Sequence, residues 1–188
     1  MTAFDQAWDL VKMPLVRDSI EYGEPDSTGF PTATALFQHP HKPEIQYKMN
    51  AWEDQGGTRM AVDNPLGPFM EKRAGWAYFR TPWSNEFGHT KTSDISTKQY
   101  PGGPDYRRLG IATAMYDLIN EMTQRNNKNA RVVSSPALLS EENARLWDKA
   151  LRRSRGFGIG VLQGNADLRS KNKNSREQIM WPEKGVFE

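Results

Sequence analysis

Residues Pro104 to Asn120 read PDYRRLGIATAMYDLIN. The stretch opens as a turn, becomes basic at Arg107 and Arg108, passes through Gly110 and continues as an amphipathic helix. Ile111, Met115, Leu118 and Met122 fall at i, i+4, i+7 and i+11, one stripe of a 3.6-residue period. Ala112 and Ile119 widen the stripe, and Asp117, Glu121 and Gln124 fall mostly away from it. The spacing predicts a helix over 109–124 that packs its apolar face on a sheet. Its first turn carries the chemistry. The opening N–H groups of a helix have no intrahelical partner, and the helix dipole adds partial positive charge there. An anion such as phosphate suits that position. Gly110 permits close backbone approach, Ala112 keeps the next position small, and Arg107 and Arg108 supply guanidinium forks. The same residues also suit a helix whose start is simply basic. In that case the dipole disfavours arginine, and a compensating charge is expected nearby. The pattern is neither a Walker loop, since no Gly-Lys-Ser/Thr follows, nor a dinucleotide fingerprint, since Gly-x-Gly is missing.

Working outward, the chain is 188 residues long, the size of one domain. It is 37% hydrophobic, below the range usual for globular domains. No run approaches the ~18 apolar residues of a membrane span, and no signal peptide opens the chain. Cysteine is absent. That excludes disulfides, zinc–thiolate sites and a cysteine nucleophile, and it fits the cytoplasm. The net charge is +2, but it is unevenly spread. From Arg145 to Arg176 nine Lys/Arg face two Asp, a local +7, which leaves −5 for the remainder. A basic run of this kind is either a solvated tail or a surface for an acidic partner or RNA.

The rest of the chain reads as a single domain, 1–188, with an atypical N-terminal segment (1–30) and a basic, partly irregular tail (155–188). FDQAWDLVK (4–12) predicts a short helix stopped by Pro14. EYGEPDSTGFP (21–31) reads as a loop. TATALFQ (32–38), EIQYKMNAW (44–52), TRMAVD (58–63) and GWAYFRT (75–81) read as strands, and SDISTKQY (93–100) as a weaker one before the turn PGGP. After the central helix, RVVSS (131–135) predicts a short strand and SEENARLWDKALRRS (140–154) a second helix.

This order of mixed strands, basic turn, helix, short strand and second helix resembles the GNAT superfamily of acyl-CoA-dependent N-acyltransferases. The family's pyrophosphate-binding motif is Arg/Gln-x-x-Gly-x-Gly/Ala, usually after Pro-x-Tyr. Here Pro104, Tyr106, Arg107, Gly110 and Ala112 stand in register with it. The likeness covers roughly residues 75–155. It implies an α/β (α+β) fold: a mixed, mostly antiparallel central sheet flanked by helices, with a splayed strand pair that admits acyl-CoA. It implies transfer of acetyl from acetyl-CoA to an amine acceptor. It assigns Arg107, Arg108, Leu109, Gly110, Ile111, Ala112 and Thr113 to the cofactor. In the second helix the family often reads Asn-x-x-Ala-x-x-Leu-Tyr. Aligning LW on Leu-Tyr puts Ser140 and Asn143 on the cofactor side, and Asn143 is carried over as a cofactor contact. Ser140 is explained without a cofactor, as an N-cap ahead of Glu141 and Glu142. Trp147 stands where the family's tyrosine acid belongs, and an indole N–H is a very poor acid. The opening AWDLVKMP (Ala7 to Pro14) resembles the start of phage and environmental-virus proteins.

Attack of an amine on a thioester requires the neutral amine, and a lysine-like amine with pKa near ~10.4 is mostly charged at pH 7. A carboxylate or histidine near the acceptor takes the proton directly or through water. In the family a backbone N–H of the splayed strand polarises the carbonyl. Asp94 is the expected general base, with Glu86 and His89 behind it; surface exposure is the competing explanation for each. Tyr100 and Tyr106 are the side chains available in place of the acid, but Tyr106 reads as a residue packed against the helix, so water is the expected proton donor. His39 and His41 at i, i+2 with Glu44 nearby lack a third strong ligand, so no metal is expected. The amine acceptor is a small molecule, a peptide or a protein, with aminoacyl-tRNA or another nucleic acid also open, and no membrane is involved. The alternative is a non-catalytic module that keeps the acyl-CoA fold and recognises a host protein or nucleic acid.

Overall fold

The computed structural model describes residues 16–25, 31–39, 42–54, 57–80, 90–107, 109–126, 128 and 130–133. They form a sheet whose strands lie side by side in chain order: β1 (Val16–Pro25), β2 (Pro31–His39), β3 (Lys42–Asp54), β4 (Gly57–Asp63), β5 (Arg73–Arg80), β6 (Thr90–Thr97) and β7 (Val132–Val133). The first six pair antiparallel, and β7 pairs parallel to β6. One α-helix among the described residues, α1 (Ile111–Asn126), links β6 to β7. A 3-10 turn, Phe69–Glu71, lies between β4 and β5. The protein is therefore an α+β fold in which helix α1 lies on one face of a mainly antiparallel sheet. Among the described residues no helix is long and apolar enough to cross a membrane.

Period-two patterning built the strands. Along β2, Ala33, Ala35 and Phe37 are buried while Thr32, Thr34, Leu36 and Gln38 are half-buried. Register carries the same face across the sheet: Ala33 lies opposite Ala51, Ala51 opposite Met60, and Met60 opposite Ala77. On α1, Ile111, Met115, Leu118 and Met122 are buried as the 3.6-residue stripe requires. Complete burial of such a side chain contributes roughly 1.5–3 kcal/mol.

Burial on α1 goes beyond that stripe. Thr113, Tyr116, Asn120 and Thr123 are buried too, and two of them fasten the crossover. The Val132 N–H donates to Asn120 Oδ1 at 3.1 Å. Thr123 Oγ1 donates to the Ile119 carbonyl at 2.7 Å and lies 2.8 Å from Thr90 Oγ1, whose hydroxyl donates back to it. These bonds satisfy polar groups inside the core and lock α1 to the starts of β6 and β7. At the other edge the Tyr22 hydroxyl donates to Glu121 Oε1 at 2.5 Å, and the Arg125 guanidinium sits 3.8 Å from the Tyr22 ring centre.

Two sequence expectations need correction. Residues 21–25, expected to be loop, belong to strand β1. Ile20 and Tyr22 alternate onto the core opposite Ala35 and Ala33, and this outweighs the local turn signal. Gly23 and Pro25 are tolerated because β1 is an edge strand and Pro25 closes it. The weak strand expected at 93–100 begins earlier, at Thr90, and ends at Thr97. Its last three residues enter a hairpin instead. The helices expected at 4–12 and 140–154 and the tail from 155 lie outside the described residues.

Tyr47 is buried at the centre of β3, edge-on to Tyr106 at 6.3 Å between ring centres. Burial, and then the neighbouring Tyr106, push its hydroxyl from 10.0 up to about 12. The unfolded chain releases this proton near pH 10 and the folded chain only near pH 12. The stabilisation from Tyr47 is thus complete below pH 10 and is lost as pH rises from 10 to 12, up to ~2.5 kcal/mol in all. Melting temperatures between pH 9 and 12 are expected to fall more steeply for the native chain than for Tyr47→Phe; parallel curves would show that Tyr47 does not carry this loss.

Candidate functional site

The site expected from the sequence is the mouth of α1. The chain reaches it through a compact hairpin. After β6 the Lys98 N–H donates to the Ala74 carbonyl at 2.9 Å. Pro101 and Gly102 (φ 73°) form a tight turn closed by Gly103 N–H to Tyr100 O at 3.0 Å, the pattern of a type II turn. The returning arm pairs Asp105 with Gln99, and the Tyr106 N–H donates to the Lys98 carbonyl at 2.9 Å. The PGGP segment therefore folds back on itself and delivers Arg107 beside the end of β6.

Two tyrosines anchor this hairpin to the loop between β4 and β5. Tyr106 is buried; its hydroxyl donates to the Glu71 carbonyl at 3.0 Å and accepts from Asn64 Nδ2 at 3.3 Å. The Tyr100 hydroxyl donates to the Arg73 carbonyl at 2.9 Å, and the two rings meet edge-on at 6.2 Å. Both hydroxyl protons are committed to backbone carbonyls. Neither tyrosine is presented as an acid, and Tyr106 packs against Tyr47 and Tyr100 in the core.

At the mouth itself Gly110 has φ 78°, the left-handed region in which a Cβ costs about 1 kcal/mol or more. Its carbonyl accepts the first helical bond from the Ala114 N–H at 3.0 Å. The N–H groups of Ile111, Ala112 and Thr113 thus form the free first turn of the helix. Ile111 and Thr113 are buried, whereas Leu109, Gly110 and Ala112 are half-buried. Arg107 is exposed, and its guanidinium is gripped by Asp105, with Nε to Oδ1 at 2.9 Å and Nη2 to Oδ2 at 2.7 Å. The Arg107 N–H also donates to Asp105 Oδ1, at 3.0 Å. Asp105 is the compensating charge that a basic helix start calls for; the sequence offered only a Pro-Asp turn as its signal. A half-exposed pair of this kind is worth at most about 1 kcal/mol, so an incoming dianion can compete for the guanidinium.

Strand β6 contributes the second half of the site. Among the described residues its ladder to β7 pairs Thr90 with Val132 and Lys91 with Val133. From Thr92 to Thr97 it pairs with β5 alone among the described residues. Tyr78 is opposite Asp94 and Phe79 opposite Thr92, so Ser93 is an extra residue, a β-bulge. The backbone of the expected base, Asp94, stands immediately after this bulge. No sequence feature announced the bulge.

The structure thus brings Arg107 and Leu109–Thr113 together at one helix mouth, beyond the C-terminal end of the strand bearing Asp94. Arg108, Asn143, Glu86, His89, Ser140, Trp147 and His41 lie outside the described residues. His39 ends β2, opposite Lys42, and among the described residues no three His, Asp or Glu side chains group as a metal site. Comparison with known proteins finds no matching family model, no matching curated protein and no matching solved structure.

The anchoring of the hairpin is testable. Tyr106→Phe removes the donor to the Glu71 carbonyl and is expected to destabilise the fold by about 1–2 kcal/mol, a fall of a few degrees in melting temperature. An unchanged melting temperature would mean that the hydroxyl does not hold the hairpin in place.

Proposed function

We propose that the protein is an acyl-CoA-dependent N-acyltransferase that moves an acetyl group from acetyl-CoA to an amine. The observation that carries this reading is the left-handed Gly110 at the mouth of α1, in register with Arg107 and Ala112 of the Arg-x-x-Gly-x-Ala pattern. Two further features support it. The helix mouth follows a strand and precedes a strand that pairs parallel to it, at Thr90 with Val132 and Lys91 with Val133. A bulge at Ser93 interrupts β6 two residues after Lys91, which pairs with Val133.

In this reading the pyrophosphate of acetyl-CoA lies on the first N–H groups of α1, with Arg107 and Arg108 beside it and Asn143 contributing from the second expected helix. The glycine matters because a side chain at 110 would stand between backbone and phosphate. The pantetheine arm enters between β6 and β7. Asp94 takes the proton from the acceptor amine, directly or through water, and the neutral nitrogen attacks the thioester carbonyl carbon. A backbone N–H released from the ladder at the bulge stabilises the developing oxyanion. The attacking nitrogen gives its second proton to water, the carbon–sulfur bond breaks, the acetyl group stays on the nitrogen as an amide, and the CoA thiolate takes a proton from water. Trp147, in place of the family's tyrosine, is what favours the second reading, a binding module of the same fold without turnover.

Gly110→Asn separates backbone conformation from phosphate approach, because asparagine tolerates the left-handed region but carries a side chain. The folded variant is expected to bind acetyl-CoA at least about tenfold more weakly in a thermal-shift or calorimetric titration, about 1.4 kcal/mol. Unchanged affinity in a folded Gly110→Asn protein would sink the cofactor assignment.

Asp94→Asn is expected to lower the rate of CoA release by ~10²-fold or more and leave acetyl-CoA affinity unchanged. Full activity in that variant would remove Asp94 as the base. Binding without turnover on any amine would support the module.

A further inference from the structure

The face of the sheet opposite α1 carries a row of aromatic and basic side chains that the acyltransfer reading does not use; Asp94 is the next register position of that row, opposite Tyr78. Trp52 on β3 lies opposite Arg59 on β4, and Arg59 lies opposite Tyr78 on β5. Trp76, two residues along β5, is on the same face about 6.8 Å away. The buried Ala51, Met60 and Ala77 belong to the other face, with α1. Trp52 is 38% exposed although it stands within a long strand near the centre of the sheet. The Tyr78 side chain leans over β4: a Cβ at Gly57 would sit 2.7 Å from its hydroxyl oxygen and 2.8 Å from the adjoining ring carbon. The ring therefore covers a bare backbone instead of standing out from it.

Cations outnumber carboxylates on this part of the face, with Asp94 opposite Tyr78 counted among the carboxylates. On β3 to β5, Lys48, Arg59, Arg73 and Arg80 are exposed. They face two carboxylates, Asp54 and Asp63, and each of these holds one arginine, Arg59 at 2.6 Å and Arg73 at 2.6 Å. A surplus of cations thus surrounds the rings. The Asp54 contact is exposed enough for a phosphate to share or displace it, and until then it keeps the guanidinium on the face. Flat rings beside guanidinium and ammonium groups suit a polyanion with planar bases. A duplex hides its base faces, whereas a single strand can splay them onto rings.

We propose that this face binds single-stranded nucleic acid, with bases stacked on Trp52 and on the β5 rings and phosphates met by Arg59 and its neighbouring cations. This site is separate from the helix mouth and does not depend on acyl transfer.

The test is fluorescence anisotropy of the full chain with a labelled 15-nucleotide oligo(dT) or oligo(U), between 50 and 200 mM salt. Saturable binding is expected that weakens steeply with salt. A duplex of the same length should bind more weakly. Trp52→Ala should weaken the single strand about tenfold with an unchanged circular dichroism spectrum. Arg59→Ala, on an exposed side chain, should lower the salt slope by about one and stands in if Trp52→Ala does not fold. Absence of binding at 50 mM salt, or duplex binding as tight as single-strand binding, would overturn the proposal. So would binding indifferent to both substitutions, which would place the strand on the basic run from Arg145 to Arg176.

Discussion

The packing of one helix on one sheet face governs this structure. Ile111, Met115, Leu118 and Met122 leave water together when α1 lies across the strands. This apolar burial dominates the local energetics. Because α1 connects β6 to β7, laying it on the sheet makes the following strand run parallel to β6, unlike the pairs before it. The buried bonds from Asn120 and Thr123 then fix where that parallel contact forms, at Thr90 and Lys91. The axis of the helix, and hence the direction in which its first N–H groups point, follows from the same burial.

What lies at the helix mouth is set by a different economy. The chain must leave an antiparallel ladder, reverse and enter a helix within a few residues. It does so with a turn at Pro101 and Gly102, two tyrosine hydroxyls bonded to backbone carbonyls, and a left-handed Gly110. The two tyrosines hold the hairpin in place: Tyr106 is bonded to the loop between β4 and β5 and packed against Tyr47, and Tyr100 is bonded to the start of β5. Arg107 is exposed at the mouth, and Asp105 sets the direction of its guanidinium. A preorganised turn of this kind spares a ligand the cost of ordering the backbone.

Much of the fold was legible because period-two and period-3.6 patterns are strong where one face is buried. The strands from β2 to β5 and the helix stripe follow directly from them. β1 was missed because Gly23 and Pro25 imitate a loop, and only pairing with β2 shows that an edge strand accommodates them. The buried polar residues of α1 were missed because threonine and asparagine read as solvent-facing until their partners on β6 and β7 are known. The helix mouth was readable from Arg107, Gly110 and Ala112. The bulge at Ser93 and the hold of Asp105 on Arg107 were not. Both arise from register and loop closure, which leave no composition signal.

The central claim is that the backbone at the start of α1, fixed by Gly110, is a binding surface for a pyrophosphate. The most direct measurement is a titration of the isotope-labelled protein with CoA, following each backbone amide by NMR. The largest shifts are predicted at the amides from Arg107 to Thr113, with a second group along β6 from Thr92 and at Val132 and Val133. No shift at Gly110, Ile111 or Ala112 at saturating CoA, or shifts confined to the opposite face of the sheet, would contradict it.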